Sequence, residues 1–412
     1  MLDLQPAASR SRISRRRFGL ALAGGGPLGA FYEVGALHAL AEACDGLDLN
    51  DLDMYTGVSS GAMVAAGLAN GFDTADIGVV FIHNASLDYP VEPGLFLRPA
   101  FREYLGRLAS VPTLAIDILL QYLGDPGKSW AEAIVPLGRL LPTGLFDSRP
   151  FERLLARLFS SPGRSNDFRK LQRRLYIVAT ELNGGYSVRF GEPGLDAVPI
   201  SRAIQASTAL PGLYPPVEID GHTYVDGALM RTMNASLLLD AGMDLAICVN
   251  PLVAFDASSA PARPGRDGAP DFTRGGLPVV LSQMFRALIQ SRMQVGMATY
   301  ERRYPRTDML LIEPDRGDEE LFFKNVFSYA DRKRLAEHAY RCTRRDLRAS
   351  APAVGRMLAR HGLRLRHGVL DDESRSFEAA VHERRQRMQP VTGPLHRALD
   401  RLESTVRDGL TA

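Results

Sequence analysis

Residues 54–67 read Met54-Tyr55-Thr56-Gly57-Val58-Ser59-Ser60-Gly61-Ala62-Met63-Val64-Ala65-Ala66-Gly67. The opening residues suit a short strand and the closing ones a helix of small side chains. Between them stands Gly57-Val58-Ser59-Ser60-Gly61, a G-x-S-x-G pentapeptide. Strand, sharp turn and helix in that order are what a nucleophile elbow needs. The flanking glycines let the turn pass close to neighbouring strands and hold the Ser59 hydroxyl exposed near a helix N-terminus. Ser60 is adjacent, but the motif register selects Ser59. The pentapeptide alone is a weak pattern; its placement gives it meaning.

Upstream, an apolar strand over 16–23 runs into Gly24-Gly25-Gly26-Pro27-Leu28-Gly29, followed by a helix over 30–43. Such a loop aims backbone N–H groups at an anion. In acyl transfer that anion is the tetrahedral oxyanion, and Gly24, Gly25, Gly26 and Gly29 are the candidate oxyanion-hole residues. Gly24, Gly26 and Gly29 also spell the dinucleotide fingerprint G-x-G-x-x-G, with Asp45 and Asp48 near the distance expected for a ribose partner. The loop alone does not choose between these chemistries. The elbow tips the balance toward hydrolysis.

A serine nucleophile needs a proton acceptor within hydrogen-bond reach. His338, His361, His367, His382 and His396 come late enough in the chain, but none follows a clear strand in a glycine-flanked loop. Tyr224-Val225-Asp226-Gly227-Ala228 instead places an aspartate in a turn after a short apolar strand, although Asp-Gly is common in plain turns.

At this point the chain resembles the patatin-like phospholipases. The loop Gly24 to Gly29, the elbow Gly57 to Gly61 and the turn Asp226-Gly227-Ala228 are similar to that family's motifs, in its order. Ala206-Ser207-Thr208-Ala209-Leu210-Pro211 resembles a further family segment, and Asn234 falls near a usual asparagine. The resemblance covers roughly residues 17–250, with weaker character to about 347. It implies a three-layer α/β/α patatin-like fold around a mostly parallel sheet, and a Ser–Asp dyad without histidine. Ser59 would be the nucleophile and Asp226 the base, with burial raising the basicity of Asp226. Two positions depart from the pattern. Leu28 stands where a basic residue is usual, and Ala235 where proline is usual.

The rest of the chain alternates strand and helix patterns, as expected of α/β proteins. Candidate strands are 54–56, 175–180, 187–190, 245–250 and 309–313; candidate helices are 62–70, 148–158, 200–207, 236–241 and 279–300. Residues 90–145, apolar, irregular and holding the only tryptophan, Trp130, read as an inserted helical cap. Residues 254–276, rich in Ala, Pro, Gly, Ser and Arg, read as a mobile loop. Val280, Leu281, Met284, Phe285 and Leu288 form one apolar stripe, which suits either a membrane-facing or substrate-channel helix or ordinary packing against the sheet, and packing against the sheet is the expectation. The domain scheme is a basic flexible tail over 1–15, a patatin-like domain over 16–347 and a helical C-terminal extension over 348–412.

The 412 residues carry 49 basic and 47 acidic side chains, a net charge of +2 that signals no nucleic-acid partner. Forty-five of the basic residues are arginine, read as composition. Cys44, Cys248 and Cys342 form no C-x-x-C pair, so neither a disulfide framework nor a cysteine-based zinc site is expected. No cofactor is called for, and without an EF-hand-like loop no calcium dependence is expected. No stretch is apolar enough for a membrane span. Arg15-Arg16-Arg17-Phe18 resembles a twin-arginine signal, but cleavage near the glycines would destroy the loop. A cytoplasmic or inner-membrane-peripheral location, with transient contact between the membrane surface and the protein, is therefore expected. The leading reading is a serine acyl hydrolase of lipid esters; the alternatives are a nucleotide-binding oxidoreductase and a non-catalytic binding protein on a hydrolase scaffold.

Overall fold

The computed structural model describes residues 1–7, 16–86, 89–91, 93–109, 140–256, 276–318 and 331–388, with single positions 111, 116, 258 and 320. Its strands are Leu2–Gln5 (β1), Phe18–Leu22 (β2), Cys44–Asp45 (β3), Met54–Val58 (β4), Arg174–Glu181 (β5), Tyr186–Phe190 (β6), Val217–Ile219 (β7), His222–Asp226 (β8), Leu245–Val249 (β9), Asp308–Ile312 (β10) and Arg364–Leu365 (β11). Its helices are Gly26–Ala43 (α1), Ser60–Ala69 (α2), Thr74–Ile77 (α3), Phe101–Ala109 (α4), Arg149–Phe159 (α5), Ile200–Ser207 (α6), Ser236–Asp240 (α7), Gly276–Arg303 (α8), Arg332–Ala349 (α9), Ala351–Arg360 (α10), His367–Asp371 (α11) and Phe377–Met388 (α12).

Among the described residues nine strands form one sheet in the order β1-β10-β9-β2-β4-β5-β8-β7, with β6 also on β5. From β10 through β5 the pairing is parallel; β1, β6, β7 and β8 pair antiparallel. Successive strand residues point to opposite faces, and the core divides accordingly. Leu20, Leu22, Ile247, Leu310 and Ile312 join the larger core with α1, α2, α5 and α9. Ala21, Ala246, Cys248, Met309 and Leu311 join a second core with Leu238 of α7 and Met293 and Met297 of α8. Helices thus cover both faces of a sheet with a parallel centre, the three-layer arrangement expected.

One register detail brings the site together. Val58 of β4 lies opposite Val178 of β5, and Asp226 of β8 lies opposite Ala179. The other edge of β5 is taken by β6 over residues 177–181. The ends of β4 and β8 therefore meet on one edge of β5, running toward each other.

Four local expectations change. Residues 2–5, expected in a flexible tail, form an edge strand antiparallel to β10, from Leu2 opposite Ile312 to Gln5 opposite Met309. Two apolar residues, Leu2 and Leu4, alternate there, and both pack on the larger core. Helix α1 begins at Gly26 rather than near 30, because Pro27 suits a first helical turn even where the glycines around it disguise the helix. The stripe on α8 does not face the sheet: Leu281, Met284, Phe285 and Leu288 are 43, 55, 45 and 59% exposed. The sheet is met instead by Met293 and Met297, one turn apart farther along the helix. The short pairing of β11 with β3, and the burial of Val354, Leu358, Phe377 and Val381, join residues 351–388 to the larger core. Trp130 and most of the expected cap, loop and tail, together with residues 389–412, lie outside the described residues.

Candidate active site

Ser59 sits between the end of β4 and the start of α2 with φ 52° and ψ −122°. A side chain in this left-handed region is strained, and such strain persists only where surrounding structure enforces it. Part of the enforcement is steric. A Cβ on Gly57 would lie 2.5 Å from Ala62 Cα, and one on Gly61 would lie 2.6 Å from the Ala23 carbonyl oxygen. Both glycines are thus required by backbone packing. The rest is a hydrogen bond: the Ser59 N–H donates to Ser207 Oγ at 2.7 Å, and Ser207 Oγ donates to the Val178 carbonyl at 2.6 Å.

The Ser59 hydroxyl donates to Asp226 Oδ2 at 2.6 Å. Asp226 is 3% exposed, and its other oxygen accepts the Ala228 N–H at 2.8 Å. Its backbone is fastened on both sides: its N–H donates to the Ala209 carbonyl at 3.0 Å and its carbonyl accepts from Thr180 Oγ1 at 3.0 Å. Burial pushes its carboxyl pKa up to about 6, against the opposing pull of the hydrogen bonds from Ser59 and Ala228. The turn after it must be tight, because a Cβ on Gly227 would meet the Val178 carbonyl oxygen at 2.2 Å.

The glycine loop lies alongside, since Leu22 of β2 pairs with Gly57 of β4. Two of its four candidate donors are already spent. The Gly24 N–H donates to the Thr232 carbonyl at 3.2 Å, and the Gly29 N–H to the Gly25 carbonyl at 3.1 Å inside the first turn of α1. Both of these N–H groups are therefore engaged within the fold. Gly24 serves by smallness, a Cβ there falling 3.1 Å from Ser59 Cβ. Gly25 and Gly26 remain, at the positive end of an 18-residue helix. Gly26 has φ 64°, a conformation that favours glycine. Leu28 is buried in the larger core and does not enter the site.

Above these groups opens a cavity of about 740 Å³, bordered by Gly24, Gly25, Gly26, Ser59 and Asp226. Its walls are mainly apolar, with Phe31, Met63, Phe81, Leu95, Phe151 and Leu213 among them. The N-terminal half of α8 supplies another wall through Leu281, Phe285, Arg286 and Ile289. Burial lowers the pKa of Arg286 to about 10. A site of this size and lining suits an apolar ligand held by a few polar groups.

Among the described residues no histidine lines the cavity. His361 pairs with Asp308 at 2.6 Å and His338 with Asp318 at 2.5 Å, while His382 contacts Gln386; His396 lies outside the described residues. The dinucleotide alternative also loses its acid. Asp45 and Asp48 follow the far end of α1, whose 18 residues span about 27 Å, too far for a ribose held at the loop. Ser207 is the contributor that motif reading passed over. It stands in the Ala206 to Pro211 segment, but nothing local ties it to a backbone amide 148 residues earlier.

A family model described as patatin-like phospholipase matches residues 20–239. Uncharacterised NTE family proteins of Mycobacterium bovis and Mycobacterium tuberculosis are 35% identical over 96 residues, covering 23% of this chain and 24% of each relative. The chain thus spans about a quarter of the length of these curated relatives. Among solved structures, VipD from Legionella pneumophila is 14% identical with a TM-score of 0.33, over 99% of this chain and 91% of that one. ExoU, in its complex with SpcU from Pseudomonas aeruginosa, is 15% identical with a TM-score of 0.29, over 92% and 76%.

Proposed function

The chain belongs to the patatin-like phospholipase family, and from that premise we propose that it is a serine-dependent lipid acyl hydrolase using Ser59 and Asp226. The observation that carries the reading is the 2.6 Å hydrogen bond from Ser59 Oγ to Asp226 Oδ2 at the floor of an apolar cavity.

In this mechanism Asp226 accepts the hydroxyl proton as Ser59 Oγ attacks the ester carbonyl. A carboxyl with a pKa near 6 is ionised at neutral pH yet more basic than a free aspartate. The oxyanion that forms is met by the N–H groups of Gly25 and Gly26. Asp226 then returns the proton to the leaving alkoxide, and in the second half it activates water against the acyl-enzyme. The apolar walls hold the acyl chain. Leu281 and Phe285 both line the cavity and face solvent, so lipid enters along α8 while the protein rests transiently on a membrane surface. None of the described helices is long and apolar enough to cross a membrane.

A fluorophosphonate probe tests the reading. It should label the folded protein at Ser59, with labelling abolished in Ser59→Ala. Folded wild-type protein that stays unlabelled and hydrolyses no ester overturns it.

A further inference from the structure

A second cluster of reactive side chains lies outside the cavity. His338 and Cys342 are one turn apart on α9 and so share a face. The segment following β10 brings two carboxylates onto that face. Asp318 Oδ2 is 2.5 Å from His338 Nε2, and Glu320 Oε2 is 3.4 Å from His338 Nδ1. Cys342 Sγ is 3.6 Å from Nε2 and 4.0 Å from Nδ1. Donor atoms of Asp318, His338 and Cys342 all lie within 4.8 Å of one another. All three residues are half-buried.

From this arrangement we infer that Asp318, His338 and Cys342 form a binding site for a zinc-class divalent cation. An ion at zinc bond lengths sets a tetrahedral sulfur–nitrogen edge of about 3.5 Å, and the Cys342 Sγ to His338 Nε2 distance already matches. The Asp318 to His338 distance lengthens by less than about an ångström when the ion replaces their hydrogen bond. Glu320 sits on the opposite ring nitrogen, where a carboxylate accepting the Nδ1–H fixes the ring and tautomer of a metal-bound histidine. The other Glu320 oxygen is paired with Arg334 at 2.5 Å, which holds the carboxylate in place. A thiolate, an imidazole and one carboxylate favour zinc or cobalt over magnesium or calcium. The sequence carries this signal as a histidine and a cysteine four apart on a helix, a spacing that a search for C-x-x-C pairs passes over.

The ion would fasten the chain beyond β10 onto α9. That helix packs along α1, where Gly35 has room for no side chain because a Cβ would lie 2.1 Å from the Ala336 carbonyl oxygen. The role is structural and independent of the hydrolase reading.

Cobalt spectroscopy on the full chain, stripped with a chelator and titrated with Co(II), tests the site. One equivalent should bind, giving a sulfur-to-cobalt charge-transfer band in the near ultraviolet and the intense visible bands of a four-coordinate ion, and Zn(II) should bleach both. Cys342→Ser should remove the charge-transfer band, His338→Ala should abolish uptake, and Glu320→Gln should weaken affinity by about tenfold or more. Cys248→Ser should change nothing in the spectrum. Folded wild-type protein that takes up neither ion, or a spectrum unmoved by Cys342→Ser, overturns the inference and leaves the cluster an ion-pair and hydrogen-bond network.

Discussion

The Ser207 hydroxyl accepts the backbone N–H of Ser59 at 2.7 Å while donating to the Val178 carbonyl at 2.6 Å. It thereby ties the strained elbow to β5, the strand along which β4 and β8 meet. Ser207→Ala strands a buried N–H and a buried carbonyl together. The expected cost is about 1–3 kcal/mol of stability, read from the urea midpoint. The elbow also loses part of what holds Ser59 at φ 52°, so kcat should fall more than KM rises. Unchanged stability and unchanged kcat would show that Ser207 is incidental.

Asp226 carries two opposed predictions. As the proposed base, it must be ionised, so kcat/KM for a soluble ester should rise as pH passes through about 6 and level off above. Asp226→Asn should lower kcat by about 10²–10⁴-fold, and if it retains full hydrolysis the dyad assignment is wrong. For stability the sign reverses. A carboxyl whose folded pKa is raised favours the folded state while protonated, and that contribution is lost as pH rises from below 3.8 through about 6. Asp226→Asn should therefore be the more stable protein at pH 8, by about 3 kcal/mol at most, with the difference shrinking toward pH 4. Thermal melts at the two pH values check this.

Much of this site was legible from local chemistry. Gly57, Ser59 and Gly61 announce an elbow because the turn tolerates little else, and Asp226-Gly227 stands out as an acid in a forced turn. The alternation that builds the two cores is also local. What could not be read depends on partners distant in the chain. Gly24 and Gly29 look like donors until Thr232 and Gly25 are seen to take their N–H groups. Leu2–Gln5 becomes a strand only because β10 offers it an edge. The stripe on α8 obeys helical spacing whichever way it faces, and periodicity does not say where the sheet ends.

The elbow tolerates no added carbon. In Gly61→Ala the new Cβ would fall 2.6 Å from the Ala23 carbonyl oxygen and 2.7 Å from the Leu22 carbonyl carbon. These are backbone atoms at the end of β2 and in the residue after it, which cannot swing aside as a side chain can. Overpacking of this kind costs about 1–3 kcal/mol or more. Stability should fall by that amount, and fluorophosphonate labelling should be lost even in the fraction that folds, because β2 and the elbow must separate. Gly71→Ala is the contrast: no atom crowds that position, so any loss there comes from its φ of 80° alone. Labelling should then survive. Equal labelling of the two variants would refute the steric account.

The proposed reading brings lipid to Ser59 along α8, and the exposed side of that helix gives the sharpest test of it. Met284 and Leu288 are 55 and 59% exposed, yet neither borders the cavity that Leu281 and Phe285 line on the same helix. Fully burying one such side chain is worth about 1.5–3 kcal/mol. A pair inserted even partly into a bilayer would therefore change partitioning by at least about tenfold. Met284→Glu/Leu288→Glu should lower binding to phosphatidylcholine vesicles by that factor in a sedimentation assay. Because both residues lie off the cavity wall, hydrolysis of a soluble short-chain ester should remain near wild type. Hydrolysis of vesicle lipid should fall in step with binding. If vesicle binding is unaffected while the soluble ester is still turned over, the proposed docking of α8 on a membrane surface is wrong.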